Sequence, residues 1–291
     1  AGDAEKRSKQ ESIRRRKSSI LGSPEEKRRL SSTATDSTVS DAVLGEDGSL
    51  SSPLPLWPAS SSNCWSEPEG SLFKVRGGNY FKDKVKVPSA PSAFACRGVD
   101  LWLTDNAMSN IGRHPSMLGG KLSSEYTFIV NFLMPWGNLV SYYRIPDEVE
   151  GSVGKVWERF LKGDQKYRDA RLKLLPVVVE GPWICQRAIG PGNAPAVIGK
   201  ALPVQYHSTD KYFEVDLVVM ASSVARGILS IVKSHTKNIV IDLAFIIEGT
   251  EAEQLPENVL AAFRLHNLDP DKCPMLPEFV DAGEHEDEEK E

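Results

Sequence analysis

The chain has 291 residues, a formal net charge of −5 at pH 7 and a hydrophobic content of 40%. This apolar content suffices for a folded core, and the charge balance lacks the basic excess with which proteins bind nucleic-acid phosphates. No apolar run reaches the roughly 18–20 residues needed to cross a bilayer. Composition therefore predicts a folded protein without a membrane-spanning helix and without nucleic-acid partners.

The first 56 residues have the composition of a disordered, basic and serine-rich tail. Residues 1–30 contain ten Lys/Arg and five Asp/Glu, and residues 1–50 contain no Phe, Tyr or Trp. A segment without large apolar side chains cannot offset the entropy lost when its backbone is ordered. Residues 278–291 contain eight acids and one lysine, which predicts a second, acidic tail. The folded domain is then expected at residues 57–277.

Three serines of the basic tail follow runs of cations. Ser18 and Ser19 come directly after residues 14–17, and Ser31 closely follows Arg28 and Arg29. Basophilic kinases accept hydroxyls in this setting, and each phosphate would add close to two negative charges. We therefore regard Ser18, Ser19 and Ser31 as candidate phosphorylation sites, with a merely solvated linker as the alternative.

The first predicted element of the domain is a turn at Arg76–Tyr80, indicated by its Gly-Gly-Asn content. Residues Ala93–Leu103 alternate loosely and predict a strand. Glu125–Trp136 is apolar on both faces, as a buried strand would be, and Leu139–Ile145 follows after a short turn. Two strands joined this closely predict an antiparallel hairpin.

Apolar residues at helical spacing predict a helix at Ser152–Lys162, and another that Ser222 and Ser223 cap and that ends near His235. A proline at the first helical position predicts a third helix, Glu257–Leu265. The remaining predicted strands are Arg171–Val179, Trp183–Ala188, Lys211–Met220 and Asn238–Ile247.

Strands interrupted by a few helices and joined by short turns are typical of the α+β class. We expect a curved antiparallel sheet packed against a few helices. In a helix-grip arrangement of the START kind, this sheet would close around helix 222–235 and leave an apolar pocket between them.

The sequence contains no arrangement typical of a catalytic or metal site. The motifs of α/β-hydrolases, zinc metalloproteases and phosphate-binding loops are absent from it. Cys64, Cys96, Cys185 and Cys273 do not have the spacing of a zinc motif, so we expect four free thiols in a reducing compartment. We therefore expect a non-enzymatic protein that needs neither a cofactor nor a metal.

Two acidic residues lie two positions apart in a predicted strand. Glu214 and Asp216 therefore present their carboxylates on one face of that strand. Paired carboxylates serve in acid–base catalysis or cation binding. Because no further ligand is evident in the sequence, we expect a solvated strand face instead.

Asp242 interrupts an otherwise apolar strand, where an unpaired charge would be costly. Buried charges are usually paired, so we expect a cationic partner for it. Arg168, Arg171 and Lys173 are the candidates, and the sequence does not rank them.

The tryptophans allow two interpretations, which concern Trp65, Trp102, Trp136, Trp157 and Trp183. Most tryptophans contribute to a core. Some of these could instead rim an apolar pocket or lie at a membrane interface, because the indole has an apolar body and a polar edge.

Several strings occur in the order known from one protein family. They are Phe73–Tyr80 with Lys84–Ser89, Arg171–Pro176 with Glu180–Trp183, Gly199-Lys200 with Tyr212–Asp216, Asp242–Gly249, and Leu255–Glu257. From about Trp65 to Leu268, they resemble the C-terminal domain of Enhanced Disease Resistance 2-type proteins. The candidate site residues are taken mainly from these strings: Arg76, Tyr80, Lys84, Lys86, Arg171, Lys173, Trp183, Tyr212, Glu214 and Asp242.

The resemblance implies lipid association, peripheral membrane attachment and a role in stress or cell-death signalling, without catalytic activity. In plant members this domain often follows a pleckstrin-homology domain and a START lipid-transfer domain. The first sixty residues are too short and too polar for either domain, so the activities of those domains are not carried over. We interpret the chain, which begins at Ala1, as a piece of a longer protein.

Our leading hypothesis is a lipid- or hydrophobic-ligand-binding module that is cytoplasmic and peripherally attached to anionic membranes. The cations of the basic tail would add a weak, salt-sensitive attraction that phosphorylation releases. The alternative is a protein-interaction scaffold with a filled core that acts through its charged tails. A large apolar cavity would distinguish the two hypotheses.

Overall fold

The computed structural model describes residues 54–122, 125–190 and 195–279. Ser18, Ser19 and Ser31 lie outside these residues, as do most of the two predicted tails. The described ends contact the domain, because the Leu54 amide donates to the Val99 carbonyl (2.8 Å) and the Phe279 ring lies 5.1 Å from that of His114.

The strands of the described chain are two to nine residues long. Their bounds are β1 (Cys64–Ser66), β2 (Lys74–Arg76), β3 (Lys86–Pro88), β4 (Ala95–Leu103), β5 (Thr127–Met134), β6 (Gly137–Arg144), β7 (Leu172–Glu180), β8 (Ala196–Val197), β9 (Val204–Ser208), β10 (Tyr212–Leu217), β11 (Val240–Ile247) and β12 (Ala261–His266).

The helices are mostly short. Their bounds are α1 (Tyr80–Asp83), α2 (Gly151–Lys162), α3 (Gln165–Asp169), α4 (Trp183–Ile189), α5 (Ile198–Ala201) and α6 (Ser223–Lys233).

Two five-stranded sheets form the body of the domain. Sheet 1 has the order β1-β12-β11-β7-β8 and is antiparallel throughout. Sheet 2 has the order β4-β6-β5-β10-β9, in which β5 and β10 are parallel and the other pairs are antiparallel. The predicted hairpin is confirmed as β5 and β6, with Met134 opposite Gly137. The strand β2, the helix α1 and the strand β3 form a separate unit, residues 74–88, which we call the basic hairpin.

Aromatic side chains fill the space between the two sheets. Phe245 of sheet 1 contacts Phe132 and Tyr143 of sheet 2, with ring centroids 6.2 and 6.4 Å apart. Helix α2 adds Trp157 and Phe160, which pack edge-on against Phe213 of sheet 2. Strand pairing thus leaves one face of each sheet against a shared apolar core.

The α+β class is confirmed, but the arrangement differs from a single sheet that grips helix 222–235. The helix itself forms, and the Ser222 side chain caps it by accepting from the Ala225 amide (3.2 Å). No side chain of α6 is fully buried, and only Leu229 packs at the margin of the main core. The main core lies between the two sheets and is formed largely by their own side chains and those of α2.

Two predicted elements have the wrong type. Residues 183–189 form a helix. Of their side chains, only Cys185, Ala188 and Ile189 turn inward, and these positions are three and four residues apart, as on one face of a helix. Residues 261–266 form a strand rather than the end of a helix, because they are buried on both faces within sheet 1. A run that is apolar all round fits a central strand as well as a buried helix.

The four cysteines are free, as predicted, and all four are buried.

Candidate functional site

Four charged side chains form a network where the basic hairpin meets sheet 1. The Lys173 ammonium lies 2.7 Å from a carboxylate oxygen of Glu248 and 3.2 Å from one of Glu257. The Arg76 guanidinium lies 3.2 Å from Glu248 and 3.7 Å from Glu257. Lys173 and Glu257 are almost completely buried. Two cations thus face two carboxylates, which leaves the network without net charge.

Backbone hydrogen bonds complete this network. The Arg76 amide donates to Glu257, the Glu257 amide donates to the Arg76 carbonyl, and the Arg76 guanidinium donates to the Gly249 carbonyl at 3.0 Å. Burial pushes the pKa of Glu248 upward, but the hydrogen bond from Lys173 and the charge of Arg76 hold it below its ordinary value. The network therefore fastens one end of the basic hairpin to the sheet.

Several candidate residues from the sequence meet at this hairpin. The Tyr80 ring contacts two cations, with the Arg76 guanidinium 5.0 Å and the Lys84 ammonium 5.4 Å from its centroid. Lys86 stands opposite Arg76 in the β2–β3 register and is exposed. Arg171 lies beside the network, since its carbonyl accepts from the Glu248 amide (2.8 Å).

The predicted partners of Asp242 are wrong. Its buried carboxylate binds Arg264 on the neighbouring strand β12 through two hydrogen bonds of 2.5 and 2.8 Å. Arg168, one of the expected partners, donates instead to the carbonyls of Phe160 and Leu161. Arg264 was missed because its segment was read as a helix; as a strand, it would have been placed beside Asp242.

Glu214 and Asp216 are also not solvated, contrary to prediction. Both are fully buried on the outer face of sheet 2, beneath residues 104–122. Glu214 accepts from the amides of Ile111 and Gly112, each at 2.8 Å. Asp216 accepts from the Ser109 hydroxyl (2.6 Å), from the backbone amide of Asn110 (2.9 Å) and from Asn131 (2.7 Å).

The two carboxylates differ in ionisation. Burial and the neighbouring charge of Asp216 raise the pKa of Glu214 well above its ordinary value. Burial also acts on Asp216, but hydrogen bonds from His207, Glu214 and Ser109 hold its pKa below the ordinary value. Of the two carboxyl groups, Glu214 therefore keeps its proton to the higher pH, and Asp216 ionises first.

A serine, a histidine and an aspartate meet at this cluster without forming a catalytic triad. The Nε2 atom of His207 lies 3.0 Å from the same Asp216 oxygen that Ser109 contacts, and 3.4 Å from the Ser109 hydroxyl. A triad histidine uses one ring nitrogen for the serine and the other for the carboxylate. Because one nitrogen faces both groups here, the arrangement holds residues 104–122 in place rather than activating a nucleophile.

Tyr212 belongs to the same face of sheet 2. Its hydroxyl donates to the Asn110 side-chain oxygen at 2.8 Å, and an added Cβ at Gly112 would lie 2.9 Å from its ring. Gly112 is required here because the loop backbone approaches the sheet this closely. Within residues 54–122, 125–190 and 195–279, no cluster of three or more His, Cys, Asp or Glu side chains could hold a metal ion.

Trp183 has the opposite surroundings to these buried residues. It is 67% exposed at the start of α4, and Val224 is 72% exposed at the start of α6. Helices α4 and α6 are in contact with each other, and Val179 and Ile184 nearby are also exposed. We call the exposed sides of these two helices the α4–α6 face.

The charged residues within helices α4 and α6 have one sign. Residues 183–189 and 223–233 contain Arg187, Arg226 and Lys233 and no Asp or Glu. Their apolar residues include Ile228, Ile231 and Val232, which are only partly covered. The sequence signal was the apolar stripe of α6, which was expected to face the sheet across an apolar pocket.

A cleft of about 430 Å³ lies on another side of the domain. It is lined by Gln165, Lys166, Asp169, Ala170, Gly199 and Lys200. The cleft is open to solvent, in contrast to the enclosed apolar pocket that a buried lipid chain needs. Among the described residues, no helix has the length and apolar character required to cross a membrane.

Comparison with known proteins gives a consistent assignment. The family profile of "Protein ENHANCED DISEASE RESISTANCE 2, C-terminal" matches residues 65–269. The chain is also similar to "Protein ENHANCED DISEASE RESISTANCE 2-like" of Arabidopsis thaliana, with 30% identity over 212 residues. That match covers 71% of this chain and 29% of the relative, so the chain spans less than a third of the relative's length. No solved structure matches the chain.

The matched residues 65–269 include nearly all of both sheets, the basic hairpin and the α4–α6 face. The resemblance expected from the motifs is confirmed over the same part of the chain. This chain belongs to the Enhanced Disease Resistance 2 C-terminal family.

Proposed function

We propose that this domain attaches peripherally to anionic membrane surfaces through the α4–α6 face. The observation that carries the proposal is that two neighbouring helices expose large apolar side chains and contain only cationic charges. An amphipathic helix of this composition lies in the membrane interface, with its apolar side among the acyl chains and its cations at the headgroups. The proposed role is one of binding, without catalysis.

The expected free energy of membrane binding is that of a reversible attachment. Full burial of one large apolar side chain contributes roughly 1.5–3 kcal/mol, so partial burial of Trp183, Ile184 and Val224 contributes on the order of 3 kcal/mol. Each cation near an anionic surface adds about 1 kcal/mol. Trp183 suits this position because tryptophan favours the boundary between headgroups and acyl chains.

The filled core favours contact with lipid at the surface over enclosure of a lipid chain. Aromatic residues of both sheets and of α2 contact one another between the sheets. A lipid can therefore meet this part of the domain from outside without displacing core side chains. This narrows our leading hypothesis from a hydrophobic-ligand carrier to a membrane-attached module.

The basic tail is proposed as a second contact. Its ten cations lie outside the described residues and would be attracted to the same anionic lipids, and phosphate at Ser18, Ser19 and Ser31 would weaken that attraction. A role in stress or defence signalling is proposed from the family's name. A cytoplasmic location of the protein is proposed from its four free thiols, which suit a reducing compartment.

Liposome co-sedimentation of the full chain tests the proposal. We compare the wild type with Trp183→Ser/Val224→Ser, and use Met275→Ser, which removes a 62% exposed apolar side chain elsewhere, as the matched control. We expect the double variant to lose about tenfold or more in affinity for vesicles with anionic lipid, because it loses most of the proposed apolar insertion. Met275→Ser should bind as the wild type does.

Equal binding of all three proteins would contradict the α4–α6 face as the membrane contact. If the wild type binds equally well to vesicles without anionic lipid, the proposed contribution of the cations to membrane binding is wrong. If none of the proteins binds vesicles, the filled-core scaffold is the better hypothesis, and a protein would then cover this face.

A further inference from the structure

The basic hairpin carries a local excess of positive charge. Residues 54–279 contain 24 Lys/Arg and 24 Asp/Glu, whereas residues 74–88 contain five Lys/Arg and one Asp. The hairpin thus carries a net charge of about +4 within a domain whose total is zero. This concentration is separate from the α4–α6 face, which uses none of these residues.

The two faces of the hairpin differ. Val75 and Val87 stand opposite each other and pack on the outer face of sheet 1. Because side chains alternate along a strand, Lys74, Arg76 and Lys86 lie on the opposite face. Arg76 and Lys86 are directly opposite in the register. Like charges in this position oppose strand pairing.

The network with Glu248 and Glu257 compensates only one of these cations. It neutralises Arg76, whose guanidinium is mostly covered, and thereby fixes the base of the hairpin. Lys82, Lys84 and Lys86 are exposed beyond it. The acid within the hairpin, Asp83, is already engaged, since its carboxylate accepts from the Val85 amide at 2.8 Å.

Aromatic and apolar side chains surround the exposed ammonium groups. Lys84 has φ +59°, in the left-handed region, and its ammonium lies over the Tyr80 ring. Phe81 is 41% and Val85 is 51% exposed beside it. The hairpin therefore presents three lysines on a short, fixed frame, and a ligand does not have to order a flexible tail to meet all three.

We propose that the basic hairpin binds a small ligand with several phosphate groups, through Lys82, Lys84 and Lys86. Ammonium groups form strong charge-assisted hydrogen bonds to phosphate oxygens. A group with a single phosphate can engage few of these lysines at once, whereas an inositol polyphosphate can contact all three. The same chemistry is available from a phosphoinositide headgroup in a membrane and from the soluble inositol polyphosphate.

Lysine-reactivity mapping of the full chain locates the site directly. Acetylation of each lysine by a mild amine-reactive reagent is measured by mass spectrometry with and without inositol hexakisphosphate. We expect slower modification of Lys82, Lys84 and Lys86, and unchanged modification of the exposed Lys155 and Lys211. Unchanged reactivity at the three hairpin lysines would overturn the proposal, even if the basic tail becomes protected.

Affinity measurements then test the contribution of the hairpin. Lys82→Gln/Lys84→Gln/Lys86→Gln should weaken binding of soluble inositol hexakisphosphate by about tenfold or more, since several charge-assisted contacts are lost. The control Lys155→Gln/Lys211→Gln/Lys272→Gln removes the same charge from other exposed positions. Equal losses in the two triple variants would overturn the proposal, because net charge alone would then explain them.

Two further experiments distinguish a soluble ligand from a membrane headgroup, and this proposal from the membrane attachment of the α4–α6 face. Vesicles with phosphatidylinositol bisphosphate should bind the wild type more tightly than vesicles of equal charge made with phosphatidylserine, and the hairpin variant should lose that preference. If soluble inositol hexakisphosphate binds and this vesicle preference is missing, the site serves the soluble ligand. Trp183→Ser/Val224→Ser should retain soluble ligand binding, so failure of the membrane proposal leaves this one intact.

Discussion

Helices α2 and α6 carry similar apolar stripes, yet only α2 buries its stripe. Val156, Trp157 and Phe160 of α2 are buried in the main core, whereas α6 has no buried residue and exposes Val224. Both helices are of similar length, and both place apolar residues on one side. Amphipathicity alone therefore does not tell which helix completes the core and which one faces outward.

An apolar stripe therefore has to be judged together with the charged residues of the same helix. The polar side of α2 contains acids and bases, including the exposed pair Glu158 and Lys162. The polar residues of α6 include Arg226 and Lys233 and no acid. A mixed polar side suits water, and a purely cationic one suits an anionic surface.

The largest effect is expected inside the core. Phe160→Ala should lower the free energy of unfolding by about 3–5 kcal/mol, because it removes a fully buried ring and leaves a cavity. Val224→Ala, on the exposed helix, should change it by less than about 0.5 kcal/mol. Urea unfolding followed by circular dichroism measures both. Comparable losses of stability in the two variants would mean that α6 is covered in the folded protein, which would contradict its exposure.

A second contrast concerns ion pairs. Asp242→Ala should cost about 3 kcal/mol, because it leaves Arg264 without its partner within sheet 1. Asp242→Leu/Arg264→Leu should recover much of this loss, since an apolar pair leaves no stranded charge. Glu158→Ala, which breaks an exposed pair on α2, should leave the melting temperature nearly unchanged. A stable Asp242→Ala variant would show that Arg264 is solvated without Asp242.

A smaller, pH-dependent effect is expected at Glu214. The pKa of the Glu214 side chain is higher in the folded state than in the unfolded state. The contribution of Glu214 to the free energy of unfolding is therefore fully present below the unfolded pKa, near 4.5, and is lost as the pH rises through the folded pKa. Asp216 has a lowered pKa, so its contribution is lost only as the pH falls below about 3.8. Denaturant unfolding from pH 5 to 9 should therefore show a decline that Glu214→Gln reduces.

Glu214→Gln keeps an oxygen for one loop amide but cannot ionise. Ser116→Ala, in the same covering loop and with no ionisable group removed, is the control for general loosening of the loop. If wild type and Glu214→Gln decline in parallel, Glu214 does not carry the pH dependence.

Local patterns predicted most of this fold. Alternation and helical spacing located β4 to β7, β10, β11, α2 and α6, because each of these elements has the period of its own structure. Residues 183–189 have inward positions three and four apart, which is helical, but their aromatic and branched residues favoured a strand.

The contacts of the buried acids Glu214 and Asp242 were less predictable, because their partners are remote in sequence. Glu214 meets Ile111 and Gly112 across about a hundred residues, and no local pattern announces a loop that donates amides to a strand. Asp242 was correctly expected to need a cation, since that follows from burial alone. Its partner, Arg264, required the pairing of β11 with β12.

The most direct test of the account is the depth of Trp183 in the membrane. Brominated acyl chains quench only tryptophans that reach them, and the exposed tryptophans Trp57 and Trp183 can be replaced one at a time by phenylalanine. With anionic brominated vesicles, we expect quenching in the wild type and in Trp57→Phe, and its loss in Trp183→Phe. Quenching that persists in Trp183→Phe and disappears in Trp57→Phe would contradict the α4–α6 face as the inserted surface.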